Sequence, residues 1–169
     1  MAEFPSPTLH FSSRGEVMIN YLDYFREGVI ERVQSVSEEE IRSSRLASGW
    51  TPLELLRHLT FVELRWLEWG FEGVSVADPW GDRRDDRWYV GEDESREDVT
   101  AELRSRGRRS AAIIRENSLD ALGQPGPRWQ DPEDPTTLDR ILLHLLQEYA
   151  RHLGHLDIVI EIAGGSTGE

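Results

Sequence analysis

The chain has 169 residues, 38% of them hydrophobic, a length and composition suited to one soluble globular domain over residues 1–169 with a single sizeable core. Its formal charge of −13, with 19 arginines and no lysine, opposes binding to phosphate backbones, so neither DNA nor RNA is an expected partner. Zero cysteines exclude disulfides, cysteine nucleophiles and thiolate metal sites; the absence of a run of about 18 apolar residues and of a signal-peptide pattern points to a cytoplasmic protein without a membrane partner.

Helical periodicity dominates, and four long helices are expected. The first spans roughly Ser13 to Ser35, with Met18, Leu22, Phe25, Val29 and Val33 on one stripe at three- and four-residue spacing. Ser37 to Glu40 is a capping-box pattern that starts a short turn of helix before Ile41. The second long helix begins at Thr51, where a Thr N-cap, Pro52 and Glu54 form a further capping box, and runs to about Gly73. The loop that follows, Val74 to Glu94, has about 20 residues, a length uncommon unless functional or disordered. It holds Trp80, Trp88 and Tyr89, which suggests that it packs back onto the bundle. The third helix runs from Ser95 to Asn117, with Glu97 and Asp98 at its positive end, and is the least apolar. A second, Pro-rich connection with Trp129 covers Gly123 to Pro135, and both connections are placed to rim a pocket. The fourth helix starts near Pro135 or Thr136 and ends at Gly164 and Gly165, a pair suited to a left-handed cap.

In the fourth helix the apolar stripe is Leu138, Ile141, Leu145, Leu156 and Val159, and at about 100° per residue Glu148 and His152 fall within or beside it. A carboxylate facing a core requires a partner, because an isolated buried charge costs several kcal/mol or is neutralised. Positions four apart share a helix face, so both side chains can reach one ion; equally, Glu148 and His152 can hydrogen-bond one another or an arginine, and spacing alone does not decide. A third ligand from another helix is best supplied by His58, on the inward face with Leu55, Val62 and Trp69. Two histidines and one carboxylate leave coordination positions open, as catalytic metal sites do. His144 and His155 lie one turn either side of the pair, where His155 either orients a ligand or is satisfied by packing. Arg65 and Arg151 are candidates to meet an anionic substrate, with a snorkelling surface arginine as the alternative for Arg65. Trp66 and Trp69 read as core, and His10 has no assigned role.

The stretches GWTPLELLRHL (Gly49 to Leu59) and HLLQEYARHLGHLDIVIEIAGGSTG (His144 to Gly168) resemble the DinB-like metalloprotein superfamily, closest to its actinobacterial branch. The resemblance covers nearly the whole chain and implies an all-α, DinB-like four-helix bundle with a long loop after helix two. It implies a divalent transition metal on His58, Glu148 and His152, zinc first, with nickel and iron also suited to such donors. The Glu variant resembles mycothiol-dependent maleylpyruvate isomerase; that enzyme carries an additional C-terminal domain, so the isomerisation itself is not expected here. What the resemblance implies instead is a thiol-dependent S-transferase: a low-molecular-weight thiol such as mycothiol, activated at the metal, acts on a small electrophile. Two alternatives stand beside it, a non-catalytic metal- or small-ligand-binding bundle and a metal-dependent hydrolase. The resemblance and six tryptophans also lead to the expectation of a homodimer.

Overall fold

The computed structural model describes residues 4–129 and 135–167. In chain order it has α1 (Arg14–Gln34), α2 (Glu38–Ile41), α3 (Pro52–Glu63), a π-helical segment (Leu64–Phe71), β1 (Arg83–Arg84), β2 (Arg87–Trp88), α4 (Arg96–Glu116) and α5 (Leu138–Ile162). The architecture is the expected all-α bundle, with one small hairpin inside the long loop.

Local chemistry sets the helix starts. Ser13 accepts from the Glu16 amide, and Thr51 with Glu54 and Ser95 with Asp98 form reciprocal capping boxes that satisfy amides the helix itself leaves unpaired. α5 starts at Leu138, later than Pro135 or Thr136, and Thr137 gives it no side-chain cap, because its hydroxyl donates to Asp139. At its C-terminus Gly164 takes the left-handed conformation, φ 80°, in which a side chain would be strained.

The second long helix departs from the sequence expectation. It is not α-helical to Gly73; after Glu63 the repeat widens, and the Glu72 amide donates to the Leu67 carbonyl, five residues back, at 2.9 Å. A wider turn shifts the phase of every residue that follows. Leu67 and Phe71 therefore enter the core, while Trp69, read from α-periodicity as inward, is left half-buried.

α1 packs on α4 and α5, and α3 packs on the same two, so α1 and α3 stand across the bundle from each other. Between them lies one core that includes Leu22, Val29, Ile30, Leu56, Leu59, Leu103, Ile113, Leu145 and Leu156. A charged cluster sits inside it. Glu63, 1% exposed, accepts from Arg26 of α1 (Nε 3.0 Å, Nη2 2.8 Å), from the Ser110 hydroxyl of α4 and from the Tyr149 hydroxyl of α5. Burial alone would lower the pKa of Arg26, yet Glu63, Tyr149 and Asp23 hold it above the ordinary arginine value. Gly107 makes room for the cluster, since a Cβ there would stand 2.4 Å from the Arg26 guanidinium carbon. Among the described residues no helix is long and apolar enough to cross a membrane.

Candidate metal centre

α3 and α5 are neighbours, and each turns polar side chains toward the other near the end of the bundle where the long loop returns. His58 and His152 are both 7% exposed, and Glu148 is half-buried between them. One donor atom from each of the three lies within 4.8 Å of the other two. His152 Nε2 is 3.2 Å from Glu148 Oε2, and His58 Nε2 is 3.9 Å from the same oxygen. The neighbouring imidazoles, His152 first and then His58, outweigh burial and hold the Glu148 carboxyl far below the ordinary glutamate value.

The long loop builds the other side of His58. β1 and β2 pair antiparallel, Arg83 opposite Trp88 and Arg84 opposite Arg87, around a turn at Asp85 and Asp86. Both turn residues have positive φ, 49° and 60°, as a two-residue hairpin turn of matching twist requires, and Asp tolerates that conformation better than most side chains. The hairpin delivers two residues to one imidazole. Asp82, immediately before β1 and 0% exposed, places Oδ2 2.9 Å from His58 Nδ1. Trp88, in β2, stacks on the His58 ring at 4.4 Å and 17°. Asp82 is held in turn by Arg65 Nη1 at 2.6 Å and Nη2 at 3.1 Å. Burial would raise the Asp82 carboxyl, but the hydrogen bonds from His58 and Arg65 prevail and lower it, so Asp82 stays ionised.

The donor chemistry fits a divalent cation. A His58 ring that donates from Nδ1 to Asp82 has Nε2 left to ligate a cation, and a carboxylate behind a histidine in this way is the arrangement that orients imidazole ligands. A single proton can serve one histidine–glutamate pair, whereas a cation can accept lone pairs from both rings and the carboxylate together. His152 is fixed differently. Its Nδ1 is buried without a hydrogen-bond partner among the described residues, and the ring is held edge-on by Trp88 at 5.4 Å and His155 at 5.8 Å.

The remaining sequence candidates fall in distinct places. His144 reaches Glu148 Oε1 at 3.8 Å and leans on Trp66 at 4.6 Å. His155 is exposed on the far side of His152, its pKa lowered by burial, His152 and Arg151. Arg65 is not a snorkelling surface residue: it is 4% exposed and its guanidinium is committed to Asp82 and the Pro79 carbonyl, because the hairpin closes over it. Arg151 is exposed, and among the described residues no contact joins it to the three donors. Sequence reasoning missed Asp82 and the stacking of Trp88. Both lie in the long loop and its two-residue strands, where no periodicity marks an inward position; the length of the loop and its aromatics were the signals.

A family model described as mycothiol-S-transferase matches residues 17–165. No curated protein matches the sequence. Among solved structures, a DinB-like protein from Bacillus cereus has a TM-score of 0.62 at 15% identity over 91% of this chain and 95% of its own. A DinB-like protein from Bacillus subtilis has a TM-score of 0.58 at 14% identity, covering 88% of this chain and 93% of its own. YfiT from Bacillus subtilis, described as a probable metal-dependent hydrolase with an unusual four-helix bundle topology, has a TM-score of 0.63 at 15% identity over 97% and 95% of the two chains. At such identities these three likenesses bear on the fold.

Proposed function

The chain belongs to the mycothiol-S-transferase family, and from that premise we propose that His58, Glu148 and His152 hold a divalent metal ion at which a low-molecular-weight thiol is used to modify a small electrophile. The observation that carries the reading is the convergence of three N and O donors within 4.8 Å, in a chain that contains no cysteine of its own. A divalent cation at such a site supplies Lewis acidity that stabilises a thiolate at neutral pH.

The protein side of the chemistry follows from the contacts. With a metal on Nε2, Asp82 would hold the Nδ1 proton of His58 and fix the orientation of the ring. Arg65 prevents Asp82 from taking that proton, by keeping the carboxylate ionised. Trp88 covers one face of His58 and shields the centre from water on that side. Three protein donors leave room for an exogenous group, as open catalytic sites do.

The test is a titration of cobalt-substituted protein with mycothiol, bacillithiol and glutathione, following the sulfur-to-metal charge-transfer absorption. A saturable band with mycothiol supports the reading. Full cobalt occupancy with no band for any thiol overturns it and favours a metal-binding bundle without thiol chemistry. The likeness to YfiT favours a second reading, hydrolysis by an activated water, which predicts metal-dependent ester or amide cleavage that added thiol inhibits.

The same proposal includes a cytoplasmic location, where reduced thiols are available, and a homodimer. Ile158 and Ile162, exposed at 58% and 56% and one turn apart on the outer face of α5, support the dimer. Sedimentation at micromolar concentration should give twice the 19.4 kDa chain mass, and Ile158→Glu should return the monomer.

A further inference from the structure

Beside the three donors, on the His144 side, lies a cleft of about 310 Å³ lined by Trp66, Trp129, Thr136, Arg140, Ile141 and His144. His144 belongs to both regions, since its Nε2 stands 3.8 Å from Glu148. A molecule in this cleft is therefore one side chain away from the centre.

Arg128 flanks the cleft, with its guanidinium carbon 4.1 Å over the Trp66 ring, 5.3 Å from Trp69 and 5.5 Å from Trp129. The arrangement is built rather than incidental. A Cβ on Gly70 would meet the Arg128 side chain at 3.0 Å, and Trp129 Nε1 donates to the Gly70 carbonyl at 2.9 Å, so the π-helical segment seats both residues. Arg26, Arg57, Arg65, Arg104, Arg106 and Arg109 each reach a carboxylate, but among the described residues none pairs with Arg128. Its Nε is buried with no hydrogen-bond partner, and so is the Thr136 hydroxyl. Burial and then the charge of Arg65 push its pKa below the ordinary arginine value, so a neighbouring anion would relieve it.

We propose that this cleft is an anion subsite for a planar, aromatic or conjugated carboxylate, with Arg128 recognising the charge, Trp66 and Trp129 receiving the flat body and Thr136 donating a hydrogen bond. The site makes the electrophilic acceptor a carboxylate, an assignment that rests on the thiol-transfer reading above, whereas the binding itself does not. In a chain of net charge −13, a local cation offsets the general repulsion of a small anion.

Benzoate, with benzamide as the uncharged isostere, is titrated into the cobalt-loaded full chain while tryptophan fluorescence and the visible cobalt spectrum are recorded together. Expected is saturable quenching by benzoate at least about tenfold tighter than by benzamide, the scale of one charge-assisted hydrogen bond, with the cobalt spectrum unchanged. Arg128→Gln should abolish that preference and Arg128→Lys should retain part of it, while Arg84→Gln, a cation stacked instead on Tyr89, should leave it intact. Equal affinity for the two probes overturns the proposal and makes Arg128 a structural cover for Trp66. A cobalt spectrum that shifts with benzoate also overturns it, because the carboxylate then sits on the metal. Should Arg128→Gln not fold, the benzoate-to-benzamide ratio in wild type and in Arg128→Lys decides. None of these outcomes depends on the thiol absorption band, so the two readings fail separately.

Discussion

Asp82 is the carboxylate that holds His58 from behind, with Oδ2 2.9 Å from Nδ1. Replacing it by Asn keeps an acceptor near His58 but removes the charge, and partners of this kind typically contribute about 10- to 100-fold to metal affinity; a competition titration with a chromophoric chelator should read a loss of that size. The same change strands Arg65, 4% exposed, without its carboxylate. Removing one partner of a buried pair costs about 3–5 kcal/mol, so Asp82→Asn should also melt early. Adding Arg65→Gln should restore much of the stability and none of the affinity, which separates the two roles. Glu148→Ala should release the metal, and unchanged metal content by elemental analysis would remove Glu148 from the ligand set. Tyr149 makes a prediction about alkali. Burial and then Glu63 raise its pKa well above the ordinary 10.0, so the folded state keeps a proton that the unfolded chain gives up. Its contribution is complete below the unfolded pKa and declines as pH rises from there toward the folded value. Between about pH 10 and 11 the wild type should lose stability faster than Tyr149→Phe, measured by urea midpoints, and parallel slopes would contradict the assignment.

At the scale of elements, His58 stands two turns into a helix whose start is fixed by Thr51 and Glu54. Thr51→Ala should cost about 1 kcal/mol, roughly 2–4 °C in melting temperature for a chain of this size, and fraying from that end should weaken metal retention as well. This part of the fold was legible in the sequence, because capping residues act within three positions and leave a local signature: Thr51, Ser95 and Ser37 all cap where the pattern places them. The shared face of Glu148 and His152 was legible for a related reason, as four-residue spacing on an apolar stripe fixes a direction in space, whereas His58 was joined to them by its inward position and the family resemblance. What resisted reading was non-local. LRWLEWGF carries no proline, and its one glycine, Gly70, does not by itself mark a widened turn; the packing of Arg128 against Gly70 belongs to residues far along the chain. Asp82 lies 24 residues beyond His58 in a segment without periodicity, and only the hairpin geometry brings the two together.

For the molecule as a whole, a metal held by His58, Glu148 and His152 would be linked to stability by mass action, because the unfolded chain does not hold two helices in register. Free metal at about 1,000 times its dissociation constant should add about 4 kcal/mol; calorimetry with and without chelator should show a shift of roughly 8–16 °C at this chain size, absent in His152→Ala. Glu63 has a consequence of another kind. Its carboxylate receives hydrogen bonds from α1, α4 and α5 while belonging to α3, so every long helix reports to one point. Leucine stripes are tolerant of slippage, since an apolar surface moved by one turn, about 5.4 Å, still meets apolar surface. A shared acceptor is not: a slip by any one helix withdraws its donor and leaves a charge unanswered in the core. Glu63 therefore works as a phase reference for the assembly, and the long helices should open to hydrogen exchange as one event. A chimera that imports α4 or α5 from a relative should fold only where the new helix brings its own donor to that carboxylate, which makes this buried acid the feature that decides which helices the bundle accepts.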